Sequence, residues 1–241
     1  MSDLSPADRA KDAAAVAAVA LVESGMRLGL GSGSTAAQMV RRLAERVQGG
    51  GLQLRCAATS RATAELATQL GLVIEDLDEI GWLDLTLDGA DEIDPDLNLI
   101  KGGGGALLRE KITAAASDRL VVIADPTKVV EQLGAYHLPV EVVPFGLETT
   151  RVHIHKLLDQ MDLTHRPMLL RNRDGKLFHT DEGNVILDLS LEVICEPERL
   201  GAGLTAIPGV VEHGLFLDMC ELALIGSPDG SVMELTREVS A

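Results

Sequence analysis

The sequence predicts an α/β protein: a mostly parallel sheet with helices on both faces, joined to a smaller α+β domain. Three observations predict it. Short apolar runs alternate with helical patterns between residues 26 and 124, the rhythm of parallel strands linked by crossover helices. After about residue 132 the order becomes strand, helix, strand, strand, helix, which suits a small inserted α+β unit. The tail then returns to strands. The expected division is 1–131 together with 206–241 for the large unit and 132–205 for the small one.

Taken in order, the Ala-rich stretch after Lys11 reads as an amphipathic first helix. Asp3, Asp8, Asp12 and Glu23 spoil a basic leader, and no apolar run approaches the ~18 residues of a membrane span. Met26 to Leu30 is a strand ending in a glycine-rich turn, and AAQMVRRLAERV beyond it is helical. Leu52 to Ala57 is a second strand. Ser60 opens a helix that Gly71 stops, as a helix C-terminus requires. Leu72 to Ile74, Leu83 to Leu87 and Leu120 to Ala124 are further strands, with a helix over 106–117 between the last two. In the small unit, Pro139 to Val143 is a strand and Thr149 to Met161 a helix. Pro167 to Leu170 is a strand turning through Arg173-Asp174-Gly175, followed by strand 184–189 and helix 192–200. Strands at 209–217, 219–226 and 231–235 close the chain, with Pro228-Asp229-Gly230 as a hairpin turn.

Composition narrows the function classes. Net charge is −16 and aromatics are 2% of the 241 residues, whereas a nucleic-acid reader needs a basic face and aromatic platforms. Cys56, Cys195 and Cys220 are widely spaced with no C-x-x-C, so neither a zinc ribbon nor a disulfide framework is indicated. A reducing, cytoplasmic location is expected, with no membrane partner. His153-x-His155 and the other histidines show no metal spacing with a nearby carboxylate or thiolate. No metal and no cofactor are expected.

Two glycine-rich segments carry the chemistry. Gly29-Leu30-Gly31-Ser32-Gly33-Ser34-Thr35 joins a strand to a helix. Its glycines let the backbone approach an anion, and open N–H groups at the helix start supply donors together with the hydroxyls. It lacks the Gly-Lys-Ser/Thr ending of a P-loop. It fits a dinucleotide fingerprint only in relaxed form, and no acid closes the second strand to hold a ribose. Ordinary loop chemistry remains an alternative at this point; a compact phosphate monoester is the ligand the turn suits best.

The second segment begins with Asp88-Gly89-Ala90-Asp91-Glu92-Ile93-Asp94 at the carboxyl end of an apolar strand, where open α/β sheets place ligands. Turn and cap chemistry is the competing reading for Asp88 and Asp91. A calcium loop at 94–105 fails, because its sixth position is Leu99 and its twelfth Gly105. Lys101-Gly102-Gly103-Gly104-Gly105 follows, then the helical run containing Glu110. Four glycines carry a large entropic cost, so close packing against a ligand is the more economical cause than a linker. Surface pairing of Glu110 with Arg109 or Lys111 is the bland alternative. Lys128 either reaches the same strand-end cleft or is solvated.

The combination resembles the ribose-5-phosphate isomerase family of the A type. Its runs are GLGSGSTA at 29–36, TSRATAELATQLG at 59–71, LDGADEIDPDLNLIKGGGGALLREKI at 87–112 and ADPTKVVEQLG at 124–134, with LPVEVVPFG, TDEGNVILD and LIGSPDG further on. Ser32 stands where many members carry Thr. The resemblance implies a Rossmann-like α/β domain with a smaller α+β domain, in a homodimer or homotetramer. It implies Glu110 as catalytic base, Asp88 as the ring-opening residue, and Asp91 and Lys101 as stabilisers of the intermediate. Lys11, Ser34 and Thr35 then contact phosphate, with Ser32, Gly33, Gly89, Ala90, Gly102, Gly103 and Lys128 around the substrate.

Such a reaction moves a proton between C2 and C1 of a sugar phosphate through an enediolate. It needs a desolvated base, a cation at the developing oxyanion, and a remote phosphate grip. A coenzyme A transferase, with a glutamate nucleophile, is a competing reading that leaves the two aspartates and Lys101 without a job. A sugar-phosphate sensor is another, but residues 1–25 offer one acidic helix rather than a helix-turn-helix.

Overall fold

The computed structural model describes residues 5–237; the outer ends of the expected large unit, 1–4 and 238–241, lie outside the described residues. The chain begins with α1 (Pro6–Ala20), β1 (Arg27–Leu30), α2 (Gly33–Gln48), β2 (Arg55–Ala58), α3 (Arg61–Gln69) and α4 (Leu77–Ile80). Next come β3 (Leu85–Gly89), β4 (Glu92–Ile93), β5 (Leu99–Ile100), α5 (Leu107–Ala115), β6 (Leu120–Ala124) and a 3-10 turn at Pro126–Lys128. They are followed by β7 (Leu138–Val142), α6 (Leu147–Asp159), β8 (Met168–Leu170), the hairpin of β9 (Asn172–Arg173) and β10 (Lys176–Leu177), β11 (Val185–Leu189) and α7 (Pro197–Thr205). The chain closes with β12 (Val210–His213), β13 (Leu215–Phe216), β14 (Cys220–Gly226) and β15 (Val232–Thr236).

The main sheet has the order β15-β14-β6-β3-β1-β2. It is parallel except for the β14–β15 hairpin. Every residue of β6 is buried, as expected for a strand covered on both faces. One face packs Leu28, Leu30, Leu85 and Leu87 against α1 and α2, through Ala14, Ala18, Met39 and Leu43. The other packs Leu120, Val122, Ala223 and Ile225 against Ile93, Leu99, Ala114 and Phe216. Side chains alternate along a strand, so Leu85 and Leu87 face the first layer while Thr86 and Asp88 face α5. Gly226 lies directly beneath α1, where a Cβ would overlap the backbone at Ala10 and Ala14.

A second sheet is antiparallel, β12-β7-β11-β8, and its core draws Ile154 and Leu158 from α6 and Leu200 and Leu204 from α7. A three-stranded ribbon, β13-β5-β4, adds Ile100 and Leu215 to that core and Ile93, Leu99 and Phe216 to the layer on the main sheet.

The α/β class and the mixed, mostly parallel sheet are as the sequence predicts, but several elements differ. The expected strand 209–217 is two strands in two sheets, broken at Gly214, where a Cβ would meet the Lys101 carbonyl and Pro139. Residues 72–74 form only a bridge, Cys56 to Ile74. The helix expected from 192 starts at Pro197, because Glu192 takes φ 65° and Ile194 N–H donates to Leu133 O at 2.8 Å. Leu191 and Ile194 are buried by loop docking rather than on a helix face. The bridging strands β4 and β5 and the short α4 are too brief for periodicity to reveal.

Candidate active site

The site lies at the carboxyl edge of β1 and β3. Gly31 leaves β1 with its N–H on Leu87 O at 2.9 Å, and a Cβ there would overlap Asp88. Only glycine lets the turn lie this close to β3. Gly33, at φ 91°, then starts α2, and the cap residue Ser32 makes no side-chain bond to the helix. The first-turn amides of α2 therefore remain open donors, the arrangement that binds anions. Lys11 on α1 brings its ammonium to Ser34 Oγ at 3.0 Å. Lys128 approaches from the opposite wall, with its Nζ 5.7 Å from the centre of the Tyr136 ring.

Three charged side chains form a buried cluster. Leu107, Glu110, Thr113 and Ala114 are the buried stripe of α5, so Glu110 occupies a core position of an amphipathic helix and faces β3. Lys101 Nζ lies 2.9 Å from Asp88 Oδ2 and 3.5 Å from Glu110 Oε2, with all three side chains at most 5% exposed. The ammonium also donates to Gly89 O. Asp88 Oδ1 accepts from Ser32 N–H at 2.9 Å and Gly89 N–H at 2.7 Å. Asp88 Oδ2 and Glu110 Oε2 have no aligned hydrogen-bond donor, so the nearby ammonium is their main compensation.

Burial sets the protonation of this cluster. Loss of hydration pushes the Glu110 carboxyl up to about 8; the Lys101 cation opposes the rise, and the Asp88 and Asp91 charges add to it. Burial pulls the Lys101 ammonium down, but Asp88 and Glu110 outweigh it and hold the proton above the ordinary lysine range. The pair can thus present a cation beside a carboxyl that gains and loses a proton near neutral pH.

The tetraglycine segment closes one wall. Asp91 Oδ2 accepts from Gly103 N–H at 2.8 Å, and a Cβ on Gly103 would meet Tyr136 Oη and Asp91. Gly102 at φ 103° and Gly105 at φ 88° adopt backbone that favours glycine. From the small unit, Arg171 Nη1 donates to Gly102 O at 2.7 Å and Gly103 O at 3.2 Å, and Arg173 Nη2 to Gly104 O at 3.1 Å. Sequence reasoning missed both arginines, because nothing local in the segment around Arg173-Asp174-Gly175 distinguishes them from ordinary turn residues.

A cleft of about 350 Å³ joins these parts, and Lys11, Ser32, Gly33, Ser34, Thr35, Gly89, Ala90, Asp91, Lys101, Gly102, Gly103, Glu110 and Lys128 all line it. Asp88 does not; it lies under the floor and reaches the cleft through Lys101 and the Gly89 amide. The Ser32 hydroxyl is occupied by Thr59 at 2.7 Å and Ser60 at 2.8 Å. Ala7, Gly104, Asp125 and Thr127 complete the lining. Asp125 caps the 3-10 turn through Thr127 N–H at 2.9 Å. Glu92 and Asp94 of the 88–98 run have structural roles. Glu92 accepts from Gly134 and Tyr136 N–H, and Asp94 Oδ1 from Asp96 and Asn98 N–H. Among the described residues no group of three or more His, Cys, Asp or Glu could hold a metal ion.

Comparison with known proteins places these features in one family. The family model for ribose 5-phosphate isomerase A (phosphoriboisomerase A) matches residues 55–230. A ribose-5-phosphate isomerase A of Jannaschia sp. (strain CCS1) is 57% identical over 231 residues, 96% of this chain and 88% of its own length. One of Dinoroseobacter shibae is 58% identical over 230 residues, 95% of this chain and 88% of its own. The solved ribose 5-phosphate isomerase from Plasmodium falciparum is similar at TM-score 0.89 and 37% identity, covering 95% of this chain and 98% of that one. A D-ribose-5-phosphate isomerase solved in complex with phospho-erythronic acid is similar at TM-score 0.88 and 32% identity, covering 96% and 99%.

Proposed function

The chain belongs to the ribose 5-phosphate isomerase A family, and from that premise we propose how its cleft interconverts D-ribose 5-phosphate and D-ribulose 5-phosphate in the pentose phosphate pathway. The observation that carries the reading is Glu110, a buried carboxylate held near neutral titration beside the Lys101 cation. The phosphate sits on the open amides of Gly33, Ser34 and Thr35, with the Lys11 and Lys128 ammonium groups around it. That grip places C1 and C2 over Glu110 by remote binding energy.

Asp88 and Lys101, 2.9 Å apart, relay the proton that leaves the anomeric hydroxyl and arrives at the ring oxygen. Glu110 then takes the C2 proton. The electron pair moves into the C1–C2 bond, and the carbonyl oxygen becomes the oxyanion of an enediolate facing Lys101 and the tetraglycine amides. Glu110 returns its proton to C1, the C2 hydroxyl proton passes to the C1 oxyanion, and the C2 oxygen becomes the ketone while the C1 oxygen becomes a hydroxyl. Asp91 keeps the Gly103 amide in place beside this oxyanion and raises the proton affinity of Glu110. Every step uses side chains and backbone amides of the chain itself, so turnover is expected to survive exhaustive chelation. At about 350 Å³ the cleft suits a phosphorylated pentose better than coenzyme A. A similar enzyme was solved with phospho-erythronic acid, a phosphorylated acid of comparable size. Incubation with ribose 5-phosphate, followed by detection of ribulose 5-phosphate, tests the activity; no product would remove it.

The division into 1–131 with 206–241 and 132–205 belongs to the same proposal, with β12 pairing to β7 as an argument for extending the small unit to 213. We assign the small unit to subunit contacts in a homodimer or homotetramer. Phe145, 92% exposed, and Leu169, 63% exposed on edge strand β8, support that assignment, and light scattering in solution tests it. No helix of the described residues is long and apolar enough to cross a membrane. Cys56, Cys195 and Cys220 are all free thiols, which supports a cytoplasmic location.

A further inference from the structure

The tetraglycine wall is held on two sides, and the side facing the small unit has no part in the chemistry described above. Arg171 follows β8 and is itself only 8% exposed. Its Nε and Nη2 form a two-pronged bridge to Asp188 of β11, at 2.9 and 2.5 Å, while Nη1 donates to the carbonyls of Gly102 and Gly103. The planar fork leaves little freedom in where those donors point.

The consequence follows from peptide geometry. In a trans peptide the carbonyl of one residue and the N–H of the next point in opposite directions. Drawing Gly102 O toward Arg171 therefore turns the Gly103 N–H the other way, onto Asp91 at 2.8 Å. Drawing Gly103 O the same way turns the Gly104 N–H toward the cleft that Gly104 lines. No backbone or side-chain acceptor among the described residues meets that N–H. The segment's own backbone supplies one turn bond, Gly105 N–H to Gly102 O at 2.9 Å, which leaves the Gly103 carbonyl to Arg171. The segment has no side chains, Gly102 and Gly105 take positive φ, and a Cβ at Gly103 would overlap Tyr136 and Asp91.

We infer that Arg171, braced by Asp188, is a positioning residue for the isomerisation, aiming the Gly104 N–H at the developing oxyanion and fixing Asp91 through Gly103. The inference rests on the reading of this cleft as the isomerase site. Arg171→Lys keeps the charge and loses the fork, so it separates aim from electrostatics; Arg171→Ala and Asp188→Asn complete the set.

The test combines steady-state turnover of ribose 5-phosphate, competitive inhibition by inorganic phosphate, and amide exchange of Gly103 and Gly104. With Arg171→Lys, kcat should fall about 10- to 100-fold, the scale of ~1 Å misplacement. Inhibition by phosphate should stay within about twofold, because the phosphate grip lies on other elements. Gly103 should exchange faster, with the unbonded Gly104 N–H as the unprotected reference, and added guanidinium ion should return part of the kcat lost by Arg171→Ala and none of that lost by Glu110→Gln. Unchanged kcat, or a kcat loss matched by equal losses of phosphate inhibition and folded fraction, would overturn the inference. Unchanged exchange at Gly103 in Arg171→Lys removes the clamp by itself. A parent protein inactive on ribose 5-phosphate removes the isomerase reading by itself.

Discussion

Replacing Glu110 by Gln should damage catalysis and strengthen the fold at the same time. The carboxyl is 4% exposed, and burial holds it up at about 8 against an ordinary 4.5. Each tenfold change in proton affinity is worth about 1.4 kcal/mol, so keeping the ionised form inside the fold costs on the order of 5 kcal/mol above the folded value. The sign follows from the two states. Below the unfolded value both forms are protonated and there is no penalty. Between the two values only the unfolded chain ionises, so stability falls as pH rises, and above about 8 the full penalty applies. Gln escapes it; the attraction to Lys101, 3.5 Å away, is already contained in that value, and burying the Gln amide donors without partners costs about 1–3 kcal/mol, which leaves a net gain of at least roughly 2 kcal/mol. For a chain of this length that raises Tm by about 4–8 °C at alkaline pH. Turnover should drop at least about 10²-fold, the scale of a positioned base, while inorganic phosphate still inhibits. Thermal unfolding at about pH 9, beside a coupled assay for ribulose 5-phosphate, reads both quantities. A variant that keeps near-normal turnover, or that unfolds earlier than the parent at alkaline pH, would refute the reasoning.

Other outcomes follow from the same cluster. The ratio kcat/KM should rise with pH and level off above about 8 as Glu110 ionises; Asp91→Asn should move that limb to lower pH, because the Asp91 charge raises Glu110. An unmoved limb would sever the link between the two groups. Lys101→Met leaves buried carboxylates without their cation, so it should cost about 3–5 kcal/mol near neutral pH. The loss should shrink on acidification, since a protonated carboxyl needs no partner, and denaturant titrations at two pH values check this. Gly31→Ala drives a methyl into Asp88 and should cost about 1–3 kcal/mol, as overpacked sites do. Its turnover should fall with its stability, and wild-type values for both would contradict the close approach.

Much of the site was legible because it is local. The turn at 29–35 and the acidic and glycine-rich runs at 87–112 each sit at the end of an element, and the chain order alone places them on one edge of a sheet. The role of Glu110 is implied by the family resemblance; its core position on α5, with Leu107 and Thr113 three residues to either side, is what the structure adds, since the residues alone leave surface pairing with Arg109 or Lys111 open. Distance in the chain hid the rest. Arg171 meets Gly102 across 69 residues, and no periodicity encodes such a meeting. Asp88 was placed at the strand end but not beneath the floor, because its depth depends on how closely Gly31 packs on it. The break at Gly214 was hidden for a similar reason: an apolar run that serves two sheets reads as one strand.

The position of β14 has a consequence for how the chain comes together. This strand lies between β6 and β15 and beneath α1 through Gly226, so the interior of the sheet is completed only after everything from β7 to β13 has been made. Until then β6, apolar along its whole length, presents an unpaired edge of the kind that recruits other chains. The helix bearing Lys11 also lacks part of the surface it docks on. A chain ending before Cys220 would hold every carboxylate of the site on a sheet left open at β6.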